Sequence, residues 1–347
     1  MSILSGKKIL ITGGTGSIGS TLVKELLEHH APGQIRIFSR DDTKQFHLMQ
    51  ALPKDAPVNF LIGDVTNKER LMRAMENIDI VFHAAALKHV TLCERNPFEA
   101  LHTNVQGTQN VIDCALAAGV DRVVYISTDK AVHPTNVMGV TKLLAERLML
   151  ASYFYKGDKK TKFCCVRFGN VLWSRGSALP LFVKQMHDGG PVTITDPAMT
   201  RFFMTLRQAA GLVIKAAEMT KESEIFVFKM PTIRMGDVVD ALQEIMKEEG
   251  LIKESVPVTI IGSKEGERTH EKLLTFEESE NALETDELFV IMPNYEMIPR
   301  KRPFLLDYPG ARKANVGEYG TAKTALLDKQ ELKKLLREGN FHKNFRK

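Results

Sequence analysis

The chain has 347 residues, 44% of them hydrophobic and 26% charged, and its formal net charge is +5. This composition is ordinary for a soluble globular protein with a sizeable core, and no run of about 20 apolar residues occurs that could span a membrane. No cluster of Lys and Arg with interleaved aromatic residues is present, which argues against a nucleic-acid partner, so the positive charge belongs to a solvated surface or suits an anionic small molecule.

The N-terminal segment and the cysteines indicate the compartment. The chain enters a strand-like K-K-I-L-I-T segment directly, and the apolar run there is too short for a signal peptide. Cys93, Cys114, Cys164 and Cys165 lack C-x-x-C spacing, so the sequence predicts neither a disulfide framework nor a zinc site. We therefore expect a soluble cytoplasmic protein without a bound metal.

Short β-branched runs alternate with helical periods through the first half of the chain. Strands are predicted at residues 7–12, 35–39, 58–62, 79–83, 122–127 and 163–168. Helices are predicted between them at residues 17–29, 68–76, 97–118 and 137–154. This alternation is typical of an α/β fold with a Rossmann-type, doubly wound parallel sheet.

After residue 170 the pattern changes to segments punctuated by Pro and Gly. Strands are predicted at residues 191–194, 225–228 and 258–261, and helices at 235–249 and 328–337. We expect residues 1–170 to form the dinucleotide-binding domain. Residues 171–293 are expected to form mainly a smaller, discontinuous α/β substrate domain that returns in part to the sheet, and residues 294–347 a C-terminal extension that is either a tail or an oligomer contact.

A glycine-rich segment, T-G-G-T-G-S-I-G, joins the first predicted strand to the first helix. Its glycines have G-x-x-G-x-x-G spacing, which lets the backbone approach a pyrophosphate at the helix N-terminus. The alternative is a loop without a ligand, but the flanking strand and amphipathic helix favour dinucleotide binding. The predicted contacts are Gly13, Thr15, Gly16, Ser17, Ile18 and Gly19.

The end of the second strand indicates which dinucleotide binds. Ser39 and Arg40 stand where NAD sites usually present Asp or Glu, and a guanidinium there matches the 2′-phosphate of NADP. Asp41 keeps NAD as the less favoured alternative, because its carboxylate could bind the ribose. Further cofactor contacts are predicted at Asp64, Val65, Ala84, Ala85 and Ala86, although the alanines could equally serve close packing.

The segment from Ser127 to Lys142, S-T-D-K-A-V-H-P-T-N-V-M-G-V-T-K, has the pattern of a catalytic centre. Lys142 falls on a helix from which its ammonium could hold the nicotinamide ribose. Four residues earlier, Met138 stands where the simplest nicotinamide-dependent sugar enzymes have a Tyr base, and a thioether cannot titrate. Either the chain is inactive or another group moves the proton. The adjacent Asp129 and Lys130 favour the second explanation, although without further context such a pair would be a structural ion pair.

Seven further motifs extend this pattern along the chain. They are H-A-A-A-L-K-H-V (83–90), S-T-D-K-A (127–131), P-T-N-V-M-G-V-T-K (134–142), R-F-G-N-V (167–171), S-R-G-S (174–177), T-D-P-A-M-T-R-F (195–202) and G-E-R-T-H-E (266–271). Together they resemble the UDP-N-acetylglucosamine 4,6-dehydratases, extended short-chain dehydrogenase/reductases of bacterial surface-glycan pathways, over roughly residues 5–275. Some members of that family carry Met in place of Tyr. The chain departs from the family's usual motifs at His133, Trp173 and Arg268.

The resemblance implies a redox-neutral dehydration. C4 of the sugar is oxidised, C5 loses a proton, water leaves from C6 and the hydride returns to C6, with inversion at C5 favoured over retention. Asp129 is implied as the acid at O6, and Lys130 as the base at C5 if burial or neighbouring Lys142 lowers its pKa. Thr128, or a water relayed to Lys142 or Asp129, is the candidate for taking the C4 hydroxyl proton.

Substrate contacts are expected from cations and amides near the same crevice. Arg175 and Arg201 suit a diphosphate, Asn170 offers amide donors, and the family resemblance suggests that Glu271 binds the uridine ribose. Lys88 and His89 face the crevice, although a core or surface role for His89 is nearly as well supported.

Two other functions compete with a dehydratase. A nucleotide-sugar 4-epimerase would depend on the Tyr that the chain lacks and would leave Asp129 and Lys130 without a task. A non-catalytic NADP-binding regulatory protein would explain the missing Tyr but not the presence of Asp129, Lys130 and Lys142 together. The resemblance also implies a homo-oligomer.

Overall fold

The computed structural model describes residues 2–263, 266–292 and 308–339. The strands are β1 Lys8–Thr12, β2 Gln34–Ser39, β3 Val58–Ile62, β4 Ile80–His83, β5 Arg122–Ile126, β6 Lys162–Arg167, β7 Asn170–Val171, β8 Val192–Ile194, β9 Thr200–Met204, β10 Ile225–Phe228, β11 Thr232–Arg234, β12 Val258–Ile260, β13 Lys272–Leu274, β14 Ala282–Glu284, β15 Leu288–Ile291, β16 Arg312–Lys313 and β17 Tyr319–Gly320. The helices are α1 Ser17–His29, α2 Asp42–Gln50, α3 Lys68–Met75, α4 Val90–Arg95, α5 Pro97–Ala100, α6 Gly107–Ala118, α7 Val137–Tyr155, α8 Ala178–His187, α9 Leu206–Met219, α10 Met235–Glu248, α11 Phe276–Glu280 and α12 Lys329–Arg337.

Ten strands form one sheet in the order β16-β14-β15-β10-β6-β5-β4-β1-β2-β3. The strands from β10 to β3 are parallel to their neighbours, and β14, β15 and β16 extend the sheet with antiparallel pairs. The chain runs outward from β1 in one direction and from β4 in the other, so the strand order reverses between them. The prediction of an α/β, Rossmann-type doubly wound sheet is confirmed, and a ligand crevice is expected at this reversal.

The six strands predicted in the first half are present within one residue of their predicted bounds. Most of them form strands because their apolar runs are buried on both faces, as at β1, where Ile9, Leu10 and Ile11 are all fully buried, whereas the edge strand β3 has no buried residue. The helix predicted at 97–118 is divided, because a π-helical segment, Leu101–Gln106, separates α5 from α6. Helices α2 and α4 were not predicted.

The second half combines small sheets with returns to the large one. Strands β11, β9 and β7 form a three-stranded sheet, while β12 pairs with β8. Side chains from α8, β8, α10 and α12 form a second hydrophobic cluster, distinct from the core around the large sheet. The strands predicted at 191–194, 225–228 and 258–261 and the two predicted helices are confirmed. The division into three domains stays a prediction.

Of the predicted C-terminal extension, residues 294–307 and 340–347 lie outside the described residues. Helix α12 lies within the rest of it. Among the described helices, none combines the length and the hydropathy that crossing a lipid bilayer requires.

Candidate active site

Two cavities lie at the carboxyl ends of the parallel strands, beside the reversal between β1 and β4. Their volumes are about 960 Å³ and about 370 Å³. The residues that line both are Lys130, Asn170, Gly176, Ala178 and Met235. Lys130, one of the two predicted catalytic residues, therefore lies where the cavities meet.

The larger cavity is lined by every residue predicted to contact the cofactor, from Gly13 to Lys142. At Gly13, which has a φ of +67°, a Cβ would lie 2.7 Å from the backbone nitrogen of Ala85, so only glycine lets the loop approach this segment. Gly16 caps α1 without a side chain, which leaves room for an anion at the helix N-terminus. The buried hydroxyl of Ser127 also lines this cavity and has no hydrogen-bond partner within the described ranges. These features fit a dinucleotide.

Two cationic side chains, Arg40 and Lys44, follow the end of β2. The Asp41 carboxylate caps α2 by accepting a hydrogen bond from the backbone of Lys44 at 2.8 Å, and it also pairs with the Lys44 ammonium. Hydrogen bonds from Lys44 hold the pKa of Asp41 below its usual range. Arg40 lies 3.3 Å from Asp64, and Arg40 and Lys44 both line the cavity. Lys44 was missed by sequence reasoning because α2 was not predicted, although it follows Arg40 by about one helical turn.

The predicted catalytic pair lies on a 3₁₀ turn, Asp129–Ala131, directly after β5. The regular alternation of side chains along the strand therefore ends before this pair. The fully buried Asp129 accepts hydrogen bonds at its Oδ1 atom from the Thr128 hydroxyl at 2.7 Å and from the Lys130 ammonium at 3.1 Å. Its Oδ2 atom is buried and has no partner among the described residues, and Asp129 itself lines neither cavity.

A second carboxylate approaches Lys130 from the other side. The Nζ atom of Lys130 lies 3.6 Å from Oε1 of Glu271, and the same carboxylate oxygen lies 3.8 Å from Nε of Arg201. Burial alone lowers the pKa of Lys130, but the charges of Asp129 and Glu271 outweigh that effect, so the pKa is raised. The condition set for Lys130 as a base, a pKa lowered by burial or by Lys142, is therefore not met in this arrangement, because the sequence did not place Glu271 here. Burial raises the pKa of Glu271.

Lys142 lies on α7, with its ammonium at the end of β5. Its ammonium donates to the backbone oxygen of Ile126 at 2.6 Å and lies 4.1 Å from the centre of the Tyr125 ring. Burial lowers the pKa of Lys142 to about 7. One turn earlier, buried Met138 packs against Cys93 and Ala100 while lining the larger cavity. Of these two lysines, it is thus Lys142 whose pKa is lowered and Lys130 whose pKa is raised.

The predicted substrate residues divide between the two cavities. Arg201 and Glu271 line the smaller one, Lys88 and His89 the larger one, and Asn170 both. Arg175 lies apart from Arg201. Its guanidinium donates to the backbone oxygen of Thr15, and its backbone N–H donates to the Ser17 hydroxyl at 3.0 Å.

The fold and the curated relatives of the chain together define a nucleotide-sugar-modifying enzyme of the short-chain dehydrogenase/reductase class. The chain belongs to the polysaccharide biosynthesis protein family, whose model matches residues 9–293. This match confirms the family resemblance of the motifs.

Relatives and solved structures share most of the chain. A UDP-N-acetylglucosamine 4,6-dehydratase (inverting) of Campylobacter jejuni is 39% identical over 89% of this chain and 90% of its own. A UDP-glucose 4-epimerase of Rickettsia canadensis is 38% identical over 96% of both chains. The X-ray structure of Pen from Bacillus thuringiensis is 41% identical, with a TM-score of 0.88 over 97% of this chain and 99% of that one. Other structures with this fold, 22–25% identical with TM-scores of 0.63–0.66, contain NAD.

Proposed function

We propose that the protein is an NADP-dependent UDP-N-acetylglucosamine 4,6-dehydratase for surface-glycan biosynthesis. The product would be a UDP-2-acetamido-2,6-dideoxy-4-hexulose, with inversion at C5 favoured over retention. One observation carries this proposal: Lys130 lies at the junction of a cofactor-sized cavity and a second cavity lined by Arg201 and Glu271, and it donates a hydrogen bond to Asp129 directly behind it. Dehydration needs an acid and a base between cofactor and sugar, whereas epimerisation at C4 needs neither at C5 and C6.

The pair can supply both groups by one internal proton transfer. Moving a proton from Lys130 to Asp129 across 3.1 Å converts the ion pair into an amine base and a carboxylic acid. Lys130 then takes the C5 proton while Asp129 gives its proton to the departing O6, which restores the ion pair. When the hydride returns to C6, C5 takes up a proton that has exchanged with solvent. The C4 hydroxyl proton lost in the oxidation makes up for it, so the sugar loses one water overall. The bound nicotinamide supplies the hydride chemistry, oxidation at C4 and return to C6.

Lys142 is the group best placed for the C4 hydroxyl proton. It lies on the same cavity wall as Met138, one helical turn away, and its pKa of about 7 makes the neutral amine available at physiological pH. A water or the Thr128 hydroxyl would relay the proton to it. This arrangement replaces the absent Tyr without requiring Met138 to act chemically.

The preference for NADP is proposed from charge at the end of β2. Arg40 and Lys44 line the cavity together and would pair with a 2′-phosphate. Asp41, the residue that could serve NAD, already has its carboxylate engaged by the α2 backbone and by Lys44. More distant structures of this fold contain NAD, so the measurement that tests this preference is the Kd for NADP compared with the Kd for NAD.

Substrate roles are proposed for the side chains of both cavities. Arg201 would contact the diphosphate, and Asn170, which lines both cavities, would contact both the cofactor and the sugar nucleotide. Lys88 and His89 would face the sugar. Glu271, which lies beside Lys130, would contact the uridine ribose. A homo-oligomer and a cytoplasmic location are proposed from the family resemblance and composition.

The test is incubation with UDP-N-acetylglucosamine in deuterated water, followed by NMR. A 6-deoxy-4-keto product with deuterium at C5 is expected, and its coupling constants report inversion or retention. Lys130→Ala should abolish both water loss and deuterium uptake, whereas Lys24→Ala, on an exposed face of α1, should behave like wild type. A 4-epimer would instead support the activity named for the Rickettsia relative, and unchanged sugar would support a non-catalytic protein.

A further inference from the structure

The loop of residues 173–177 carries an unusual residue, Trp173. Its φ of +58° lies in the left-handed region, which a bulky side chain rarely adopts and which costs free energy unless surrounding contacts hold it. The indole N–H donates to the backbone oxygen of Leu336, in the last turn of α12, at 3.1 Å. The ring also lies against Gly339, just beyond that helix. The C-terminal helix therefore holds the start of the loop.

The other end of the same loop forms a wall of the larger cavity. Arg175 reaches the glycine-rich loop by its backbone hydrogen bond to Ser17 and by its guanidinium contact with Thr15. The Lys88 ammonium donates to the backbone oxygen of Arg175 at 2.6 Å. Arg175 also contributes to the lowered pKa of Asp41, so its charge lies near the end of β2. The loop of residues 173–177 thus contacts the glycine-rich loop and covers the part of the larger cavity beside it.

No described residue of helix α12 lines that cavity, and the helix is held to the fold by contacts of its own. Leu332 and Leu336 are buried in the second hydrophobic cluster. The Lys333 ammonium, itself buried, pairs with Glu248 at 2.5 Å and with Glu244 at 3.2 Å on α10. These contacts give the Leu336 carbonyl a fixed position from which to hold Trp173.

We propose that Trp173 is a positioning residue that ties the cofactor-covering loop 173–177 to α12, so that the C-terminal helix controls how tightly the dinucleotide is held. The proposal rests on the proposed cofactor site but not on the dehydration reaction. It assigns a role to one of the residues at which the chain departs from its family's motifs.

Gly339→Ala tests the proposal without changing any residue of the cavity. A Cβ at position 339 would overlap the Trp173 ring, whereas a Cβ at Gly317 would meet no heavy atom of the described residues within 4 Å, so Gly317→Ala is the matched control. Trp173 is the only tryptophan in the chain, and its emission reports its own surroundings. For Gly339→Ala we expect emission at longer wavelength and a Kd for NADPH raised about fivefold, with neither change in the control.

Trp173→Phe supplies the second variant, because it keeps an aromatic ring but removes the N–H donor. Its Kd for NADPH should rise, by less than for Gly339→Ala, while its KM for the sugar nucleotide stays near the wild-type value. A Kd for NADPH equal to wild type in both variants, with only a lower melting temperature, would overturn the proposal. Titration of the wild type with NADPH and NADH tests the cofactor site itself: if neither binds, the cofactor proposal fails and the role of the loop fails with it.

Discussion

The Nζ atom of Lys130 lies 3.6 Å from Oε1 of Glu271, so the proposed base faces a buried carboxylate from the segment just before β13. Together with Asp129, this contact keeps Lys130 charged before a substrate binds. The proposed base must give up its proton before it can act, and the geometry makes Glu271 the residue that sets how easily it does so.

Replacing Glu271 by Gln tests that relationship. The negative charge of Glu271 raises the pKa of Lys130, so its removal should lower that pKa. Because the Asp129–Lys130 pair acts while it holds one shared proton, the alkaline limb of the kcat profile, where that proton is lost, should move to lower pH by about one pH unit. The measurement is kcat against pH, with Glu280→Gln on exposed α11 as the control. A higher KM with an unchanged pH profile would instead indicate a ribose contact alone.

Replacing Lys44 by Ala should change cofactor preference. The variant loses a cation beside the proposed 2′-phosphate site and frees Asp41 from its ion pair. We expect the Kd for NADP to rise about tenfold, while NAD binds as before or more tightly. Calorimetric titration with both cofactors measures the ratio, and Lys54→Ala, at an exposed position, serves as the control. Equal weakening for both cofactors would mean that Lys44 supports the fold of α2.

Gly139→Ala should displace the 3₁₀ turn that carries Asp129 and Lys130. A Cβ at Gly139, in the first turn of α7, would overlap the backbone oxygen of Lys130. The turn must then shift, and we expect kcat to fall more than about tenfold, since small displacements of catalytic groups are costly. Gly211→Ala in α9 is the matched control, because no described heavy atom lies within 4 Å of its Cβ. Normal turnover in Gly139→Ala would show that the turn tolerates displacement.

Met138→Tyr should be tolerated or faster. The side chain at 138 lines the larger cavity, so a phenol there could take part in removing the C4 hydroxyl proton. Met138→Phe has nearly the same shape without the hydroxyl and separates steric from chemical effects. Turnover is measured for both variants. A large loss in both would reveal a steric requirement for Met against Cys93 and Ala100.

Lys142 should make stability depend on pH. Its pKa is about 7 in the folded protein and 10.5 ordinarily, so between these values the unfolded chain binds more protons and stability rises with pH. Lys142→Met removes this penalty, which is fully present below pH 7 and absent above pH 10.5. We expect the variant to exceed wild type in free energy of unfolding by at most about 5 kcal/mol at pH 6, and by much less at pH 10. Urea denaturation at both pH values gives the difference; a constant difference would contradict the lowered pKa.

The fold was predictable because its signals are local. Buried parallel strands are apolar on both faces, and the glycine-rich loop, β1 and α1 are contiguous in sequence. The same holds for Asp129 and Lys130, whose adjacency at a strand end was visible before their surroundings were known.

The features that sequence reasoning missed depend on long-range packing. Glu271 reaches Lys130 only because β13 returns beside the catalytic turn, so the raised pKa of Lys130 had no sequence signal. Arg175 contacts the glycine-rich loop through tertiary packing of residues 173–177. Helix α2 has weak apolar periodicity and depends on the Asp41 cap, which hid Lys44.

The two cavities share the five lining residues named above, Lys130 among them, and the rest of each wall belongs to one cavity alone. A sugar nucleotide could therefore enter and leave through the smaller cavity while the dinucleotide stays in place beneath the loop of residues 173–177. In kinetic terms such an enzyme is a single-substrate catalyst: its steady-state rate saturates with the sugar nucleotide alone, and cofactor added after purification alters only the fraction of active molecules.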